Sequence, residues 1–220
     1  QCTAKVPNDS AVPTDGAHTD PLLDGTCTTA AASLTCVSGV CDVGDDRCGY
    51  SEGSGPCTSV NAGTICRSGA CSANGTCMPA AGCNVDADCT AGQWCNMSSH
   101  ACTAKVPNGT AVPTDPGHTS PVLDGNCTTA AATLTCVSGV CDEGDDRCGY
   151  ANDSGLCTAA NAATVCRSGA CSSNSTCMPA GGCNTDADCS GGKWCNVSEH
   201  KCTEKVANGS AVPTDTGHTT

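Results

Sequence analysis

CTTAAASLTCVSGVCDVGDDRC, residues 27–48, and CTSVNAGTICRSGACSANGTC, residues 57–77, decide how this chain is read. In the first stretch Cys27, Cys36, Cys41 and Cys48 are spaced C-x8-C-x4-C-x6-C. In the second, Cys57, Cys66, Cys71 and Cys77 are spaced C-x8-C-x4-C-x5-C. The intervening residues also agree, so the two read as duplicates of one four-cysteine module. A third set, Cys83, Cys89, Cys95 and Cys102, follows with the spacing C-x5-C-x5-C-x6-C.

The whole pattern then recurs. Residues 1–100 laid over 101–200 without a gap are identical at 73 of 100 positions, and every cysteine returns one hundred positions later. Self-similarity at a fixed period is the signature of a repeat array. Repeat 1 spans 3–102, with a Pro/Thr-rich connector (3–26) and modules at 27–48, 57–77 and 83–102. Repeat 2 spans 103–202, with a connector (103–126) and modules at 127–148, 157–177 and 183–202. Its cysteines are Cys127, Cys136, Cys141 and Cys148; Cys157, Cys166, Cys171 and Cys177; and Cys183, Cys189, Cys195 and Cys202. Residues 203–220 begin a third repeat, because CTEKVANGSAVPTDTGHT matches CTAKVPNGTAVPTDPGHT. The break in mid-unit suggests a segment of a longer, polymer-like chain. Cys2 is left over: it closes a module preceding residue 1, or it is a free or intermolecular thiol.

Composition dictates how such units hold together. The 220 residues include 25 Cys but no Phe, two Trp and two Tyr. Without large apolar side chains a conventional core is out of reach, and cysteine at this density marks a disulfide scaffold. Bridges persist in oxidising surroundings, which places the chain outside the cell, secreted or at the cell surface. No apolar run approaches the roughly 20 residues of a membrane span. The expected fold is a set of small disulfide-rich repeats with little regular secondary structure, short β-strands and turns, in an extended tandem array. AAASL and AAATL are each read as one helical turn.

Four cysteines allow three pairings, and spacing does not choose among them. The SGV and SGA segments between second and third cysteines read as turns that favour first-to-third and second-to-fourth pairing. Each bridge would close a loop near 15 residues, worth roughly 3 kcal/mol in the chain-entropy model. The connectors have two readings. Fully extended, 24 residues reach about 75 Å at polyproline rise; alternatively they fold back as hairpins, using Val6, Val12 and Leu23 as small apolar contacts.

Asn-x-Ser/Thr sequons occur at Asn8, Asn74, Asn96, Asn108, Asn126, Asn152, Asn174, Asn196 and Asn208, nine of the thirteen asparagines. A sequon is an acceptor for N-glycans, although Asn and Thr also favour turns for their own sake. PTDPGHTSP suits O-linked sugar as well. The formal net charge of −13 argues against nucleic acid, which needs basic patches. NVDAD and NTDAD place oxygen ligands at alternate positions, as calcium loops do. This makes Asn84, Asp86, Asp88, Asn184, Asp186 and Asp188 candidate Ca2+ ligands, against the plainer reading of a solvated acidic loop. DVGDD and DEGDD form a second acidic cluster. Zinc sites want C-x2-C pairs, and the closest spacing here is C-x4-C. His18, His100, His118, His200 and His218 have no nucleophile pattern beside them, so no catalytic residue is assigned and no enzyme is expected. Trp94 and Trp194 each precede a cysteine and read as covers over a disulfide.

CNVDADCTAGQWCNMSSHAC and CNTDADCSGGKWCNVSEHKC resemble the C-x-x-D-x-D-C modules of large secreted cysteine-rich tandem-repeat surface proteins. The resemblance covers about twenty residues of each hundred. It implies an extracellular protein of structural or adhesive type and supplies no catalytic residue. Two functions remain: a component of a glycosylated fibre, filament or stalk whose partners are adjacent repeats or copies of itself, or a multivalent binding and adhesion module array with Ca2+ as its candidate cofactor.

Overall fold

The chain divides into two compact units, Gln1–Thr103 and Ala104–Thr220; the computed structural model describes residues 2–218. The fold class matches the one expected from composition. Among the described residues the α-helices are Thr29–Thr35 and Ala62–Ile65, with counterparts Thr129–Thr135 and Ala162–Val165, and short 3-10 turns cover Asp86–Asp88 and Asp186–Asp188. Among the same residues strands pair in twos, all antiparallel where the register is defined, many of them two residues long.

Twelve disulfides do the work of a core. In every module the first cysteine meets the third and the second meets the fourth. Unit 1 holds Cys27–Cys41, Cys36–Cys48, Cys57–Cys71, Cys66–Cys77, Cys83–Cys95 and Cys89–Cys102. Unit 2 repeats them as Cys127–Cys141, Cys136–Cys148, Cys157–Cys171, Cys166–Cys177, Cys183–Cys195 and Cys189–Cys202. The two bridges of a module lie side by side, with the sulfurs of Cys57, Cys66 and Cys77 all within 4.8 Å of one another. Cys2 is unpaired and exposed.

The helix in the first module is longer than one turn, and its sequence explains why. Thr28 caps it, its hydroxyl accepting from Ala31 N at 3.1 Å, which satisfies an N–H that no helical carbonyl can reach. Alanine has the highest helix propensity, and Ala31 and Ala32 are wholly buried in one cluster with the four bridged cysteines. Cys36 ends the helix in extended conformation (φ −90°, ψ 138°).

The connector folds back; it is not a spacer. Val6 N donates to Thr35 O at 2.7 Å and Val37 N to Val6 O at 2.9 Å, a parallel bridge beside the helix end. Asp9 N donates to Cys48 O and Cys48 N to Ser10 O, both at 2.8 Å. This seats Val12 and Leu23 among Ala31, Ala32 and the bridged cysteines. The remainder, Thr14–Thr19, pairs antiparallel with Leu22–Asp24. Small as they are, these aliphatic side chains bury enough apolar area to outweigh an extended connector.

The second module receives an incoming strand in the same way. Tyr50 N donates to Ile65 O at 2.7 Å and Arg67 N to Tyr50 O at 3.0 Å, as Val6 does in the first module. Gly53 N donates to Cys77 O and Cys77 N to Ser54 O, as Asp9 and Ser10 do with Cys48. Each duplicated unit is therefore an incoming strand plus a four-cysteine hairpin, not the hairpin alone.

Candidate functional site

The polar residues that matter most sit at the joints between modules. Asp42, buried in the first module, accepts from Gly44 N (2.9 Å), Ser51 N (3.0 Å), the Ser51 hydroxyl (2.5 Å) and the Ser54 hydroxyl. It thereby pins the strand that feeds the second module. Asp142 repeats the arrangement with Gly144 N, Ala151 N and the Ser154 hydroxyl, losing one donor because residue 151 is alanine.

Arg67 reaches back from the second module to the first. Its guanidinium grips Asp45 with two bonds of 2.5 and 2.7 Å, while Nε donates to Cys48 O and Gly49 O at 3.2 and 3.1 Å. Such fork-to-fork pairing fixes geometry as well as charge. Arg167 and Asp145 do the same in repeat 2.

Asp88 ties the third module to the second. One oxygen accepts from Ala73 N at 2.6 Å; the other accepts from the Ser72 hydroxyl, Asn84 N and Val85 N at 2.7, 2.8 and 3.1 Å. Asn84 Nδ2 donates to Thr76 Oγ1 and Cys77 O across the same joint.

In each unit the three residues proposed as calcium ligands are brought close; their carboxylates face protein donors, whereas Asn84 Oδ1 is enclosed without a hydrogen-bond partner. Asp188 is occupied like Asp88, and Asn184 Nδ2 donates to Thr176 Oγ1 and Cys177 O. Asp86 and Asp186 accept from Cys95 N and Cys195 N at 2.9 and 2.8 Å, and Asp186 also faces His218 Nε2 at 3.2 Å. Among the described residues, the groups of three clustered metal-type ligands are all cysteines already in disulfides.

The carboxylates of Asp42 and Asp188 are held ionised. Burial works against the charge on Asp188, yet the Ser172 hydroxyl and the N–H groups of Ser173, Asn184 and Thr185 outweigh it and lower the pKa to about 2. Asp42 shows the same contest, burial against the donors from Ser51, Ser54 and Gly44, and also lies well below the usual carboxylate range. A folded-state pKa below the unfolded value gives stability that is present above the unfolded pKa and lost as pH falls through the folded one. Melting temperature followed by circular dichroism is therefore expected to stay level down to about pH 4 and to fall between about pH 4 and pH 2. A profile still level at pH 2 would contradict the role given to these carboxylates.

The sequons occupy unlike places. Asn74, Asn126, Asn152, Asn174 and Asn208 are exposed; Asn8, Asn96, Asn108 and Asn196 are half-buried. The Asn8 amide reaches into the joint between the first two modules, donating to Thr64 O at 2.8 Å. Trp94 is buried, whereas Trp194 is partly exposed, donates to Glu204 O and meets His218 edge-on at 6.2 Å. In unit 2 the residues after Cys202 lie on the third module, with Asp215 accepting from Val197 N at 2.6 Å and from the Ser198 hydroxyl.

No protein-family model, no curated protein and no solved structure matches this chain. Among the described residues no helix is long and apolar enough to cross a membrane. The density of disulfides is compatible with an extracellular protein.

Proposed function

We propose that the chain is a non-catalytic structural element of an extracellular, glycosylated fibre, filament or surface stalk. The observation that carries this reading is the fastening of every joint within a repeat. The connector is strand-paired to the first module, Arg67 and Asp42 lock the first module to the second, and Asp88 locks the second to the third. With a bridge pair in each module, load has no slack segment of 24 residues to pull out. The acidic surface and the exposed sequons support an outward, sugar-bearing face that keeps neighbouring chains apart.

Single-molecule pulling tests this. Oxidised chains of two, four and six repeats are expected to lengthen in proportion to repeat number and to yield little added length under force. Reductant is expected to release long extensions. Chains that pull out easily while still oxidised would overturn the structural reading. Saturable capture of a soluble ligand that tightens steeply with repeat number would favour the binding array instead.

A further inference from the structure

We propose that the Asn8 and Asn108 sequons are closed to sugar and act as module fasteners, and that N-glycans are carried by Asn74, Asn152 and Asn174. This rests on the glycoprotein reading above and assigns its sites. Attachment joins the asparagine Nδ2 to the anomeric carbon of an oligosaccharide carried on a lipid pyrophosphate. The bond from that carbon to the pyrophosphate oxygen breaks with its electron pair, and one amide proton is released to solvent. The product needs room on Nδ2 and a path outward.

Asn8 has neither. Its Nδ2 carries two hydrogens, and its acceptors are the carbonyls of the next module, Thr64 O at 2.8 Å and Cys66 O at 3.5 Å. Its Oδ1 is enclosed and takes no hydrogen bond. On the other side lies Gly49, where an added Cβ would stand 2.7 Å from both Cγ and Oδ1 of Asn8. The amide therefore fills a slot between Gly49 and the end of the Ala62–Ile65 helix. A sugar on Nδ2 would have to separate the two modules. Asn108 repeats this, with Thr164 O at 2.8 Å, Cys166 O at 3.5 Å, and a Gly149 Cβ position 2.5 and 2.6 Å from its Cγ and Oδ1.

The three proposed carriers are open. Asn74 and Asn174 are exposed, and each turns its Oδ1 inward to the N–H and hydroxyl of the sequon threonine, Thr76 or Thr176, at 3.1 and 2.7 Å. That leaves Nδ2 pointing away from the turn. Asn152 sits exposed in the loop before Cys157.

The test is secretion of the 220-residue chain from cells that N-glycosylate. Glycans are then released enzymatically in heavy-oxygen water, which marks each formerly occupied asparagine, and the peptides are mapped with bridges intact. Label at Asn74, Asn152 and Asn174, with unlabelled Asn8 and Asn108 in fully bridged molecules, is the expected result. Label at Asn8 or Asn108 in fully bridged molecules overturns the inference while leaving the glycoprotein reading standing. Bare asparagine at all nine sequons overturns the assignment of sugar together with that reading. The fastener role is read separately, on chain made without glycosylation. Asn8→Ala with Asn108→Ala is expected to speed protease cleavage in the 49–56 and 149–156 segments, whereas Asn74→Ala with Asn174→Ala leaves it unchanged. Equal rates for the two pairs overturn the fastener.

Discussion

Replacing Cys36 and Cys48 together by alanine is expected to destabilise the first module by about 3 kcal/mol or more, enough to open it locally while repeat 2 stays closed. The bridge spans 12 residues and both cysteines are fully buried. Its loss releases chain entropy in the unfolded state. It also removes two sulfurs from a core whose other members are Ala31, Ala32, Val12, Leu23 and the Cys27–Cys41 bridge. Alanines cannot collapse into that space, so a cavity cost adds to the entropic one. Hydrogen exchange read by mass spectrometry is the measurement, because residues 127–148 provide an unaltered reference in the same molecule. Equal protection in 27–48 and 127–148 would show that the strand-added connector holds the module without its inner bridge.

The second large effect belongs to Gly55→Ala. Gly55 has φ +63°, which already strains any L side chain, and its Cβ position falls 2.0 Å from Cγ of Tyr50. The Tyr50 ring packs with Ile65 and Cys71 against the second core of Cys57, Ala62, Cys66 and Cys77. The methyl cannot be accommodated unless the ring leaves, and overpacking of this kind costs about 3 kcal/mol. The joint between the first two modules is expected to loosen, seen as a changed tyrosine signal and faster cleavage near residue 52. Gly53→Ala is the control. It has a similar φ of +78° but nothing within 4 Å, so it should cost only the backbone strain of about 1 kcal/mol. Equal losses for the two variants would mean that the ring contact contributes nothing.

What was readable in the sequence follows from the physics of each feature. Covalent spacing is written in the chain, so the module boundaries and the shortness of every element could be read from cysteine positions and missing aromatics. The folding back of the connector was only one of two readings, because it turns on Val6, Val12 and Leu23, too sparse to form a periodic pattern. The protein partners of the acidic residues were not legible in their spacing. Asp86 and Asp88 sit at calcium-loop spacing, yet Asp88 spreads its charge over four protein donors. An aspartate two residues before an N–H in a turn, as at Asp42 and Gly44, was the available hint. Arg67 left no local signal, since its partner Asp45 lies 22 residues away. Asn8 carries a motif indistinguishable from that of Asn74; only the neighbour across the joint separates them.

The bridges of this chain never join cysteines more than 14 residues apart. In an array of near-identical copies, any thiol could in principle be captured by its twin one hundred residues along. Loop-closure entropy disfavours that encounter, and it does so equally however many copies follow. On the secretory route proposed above, each module can also finish oxidising before the next emerges. Pairing errors therefore need not accumulate with length, and gene duplication can extend the chain without asking more of the cell's disulfide-shuffling enzymes.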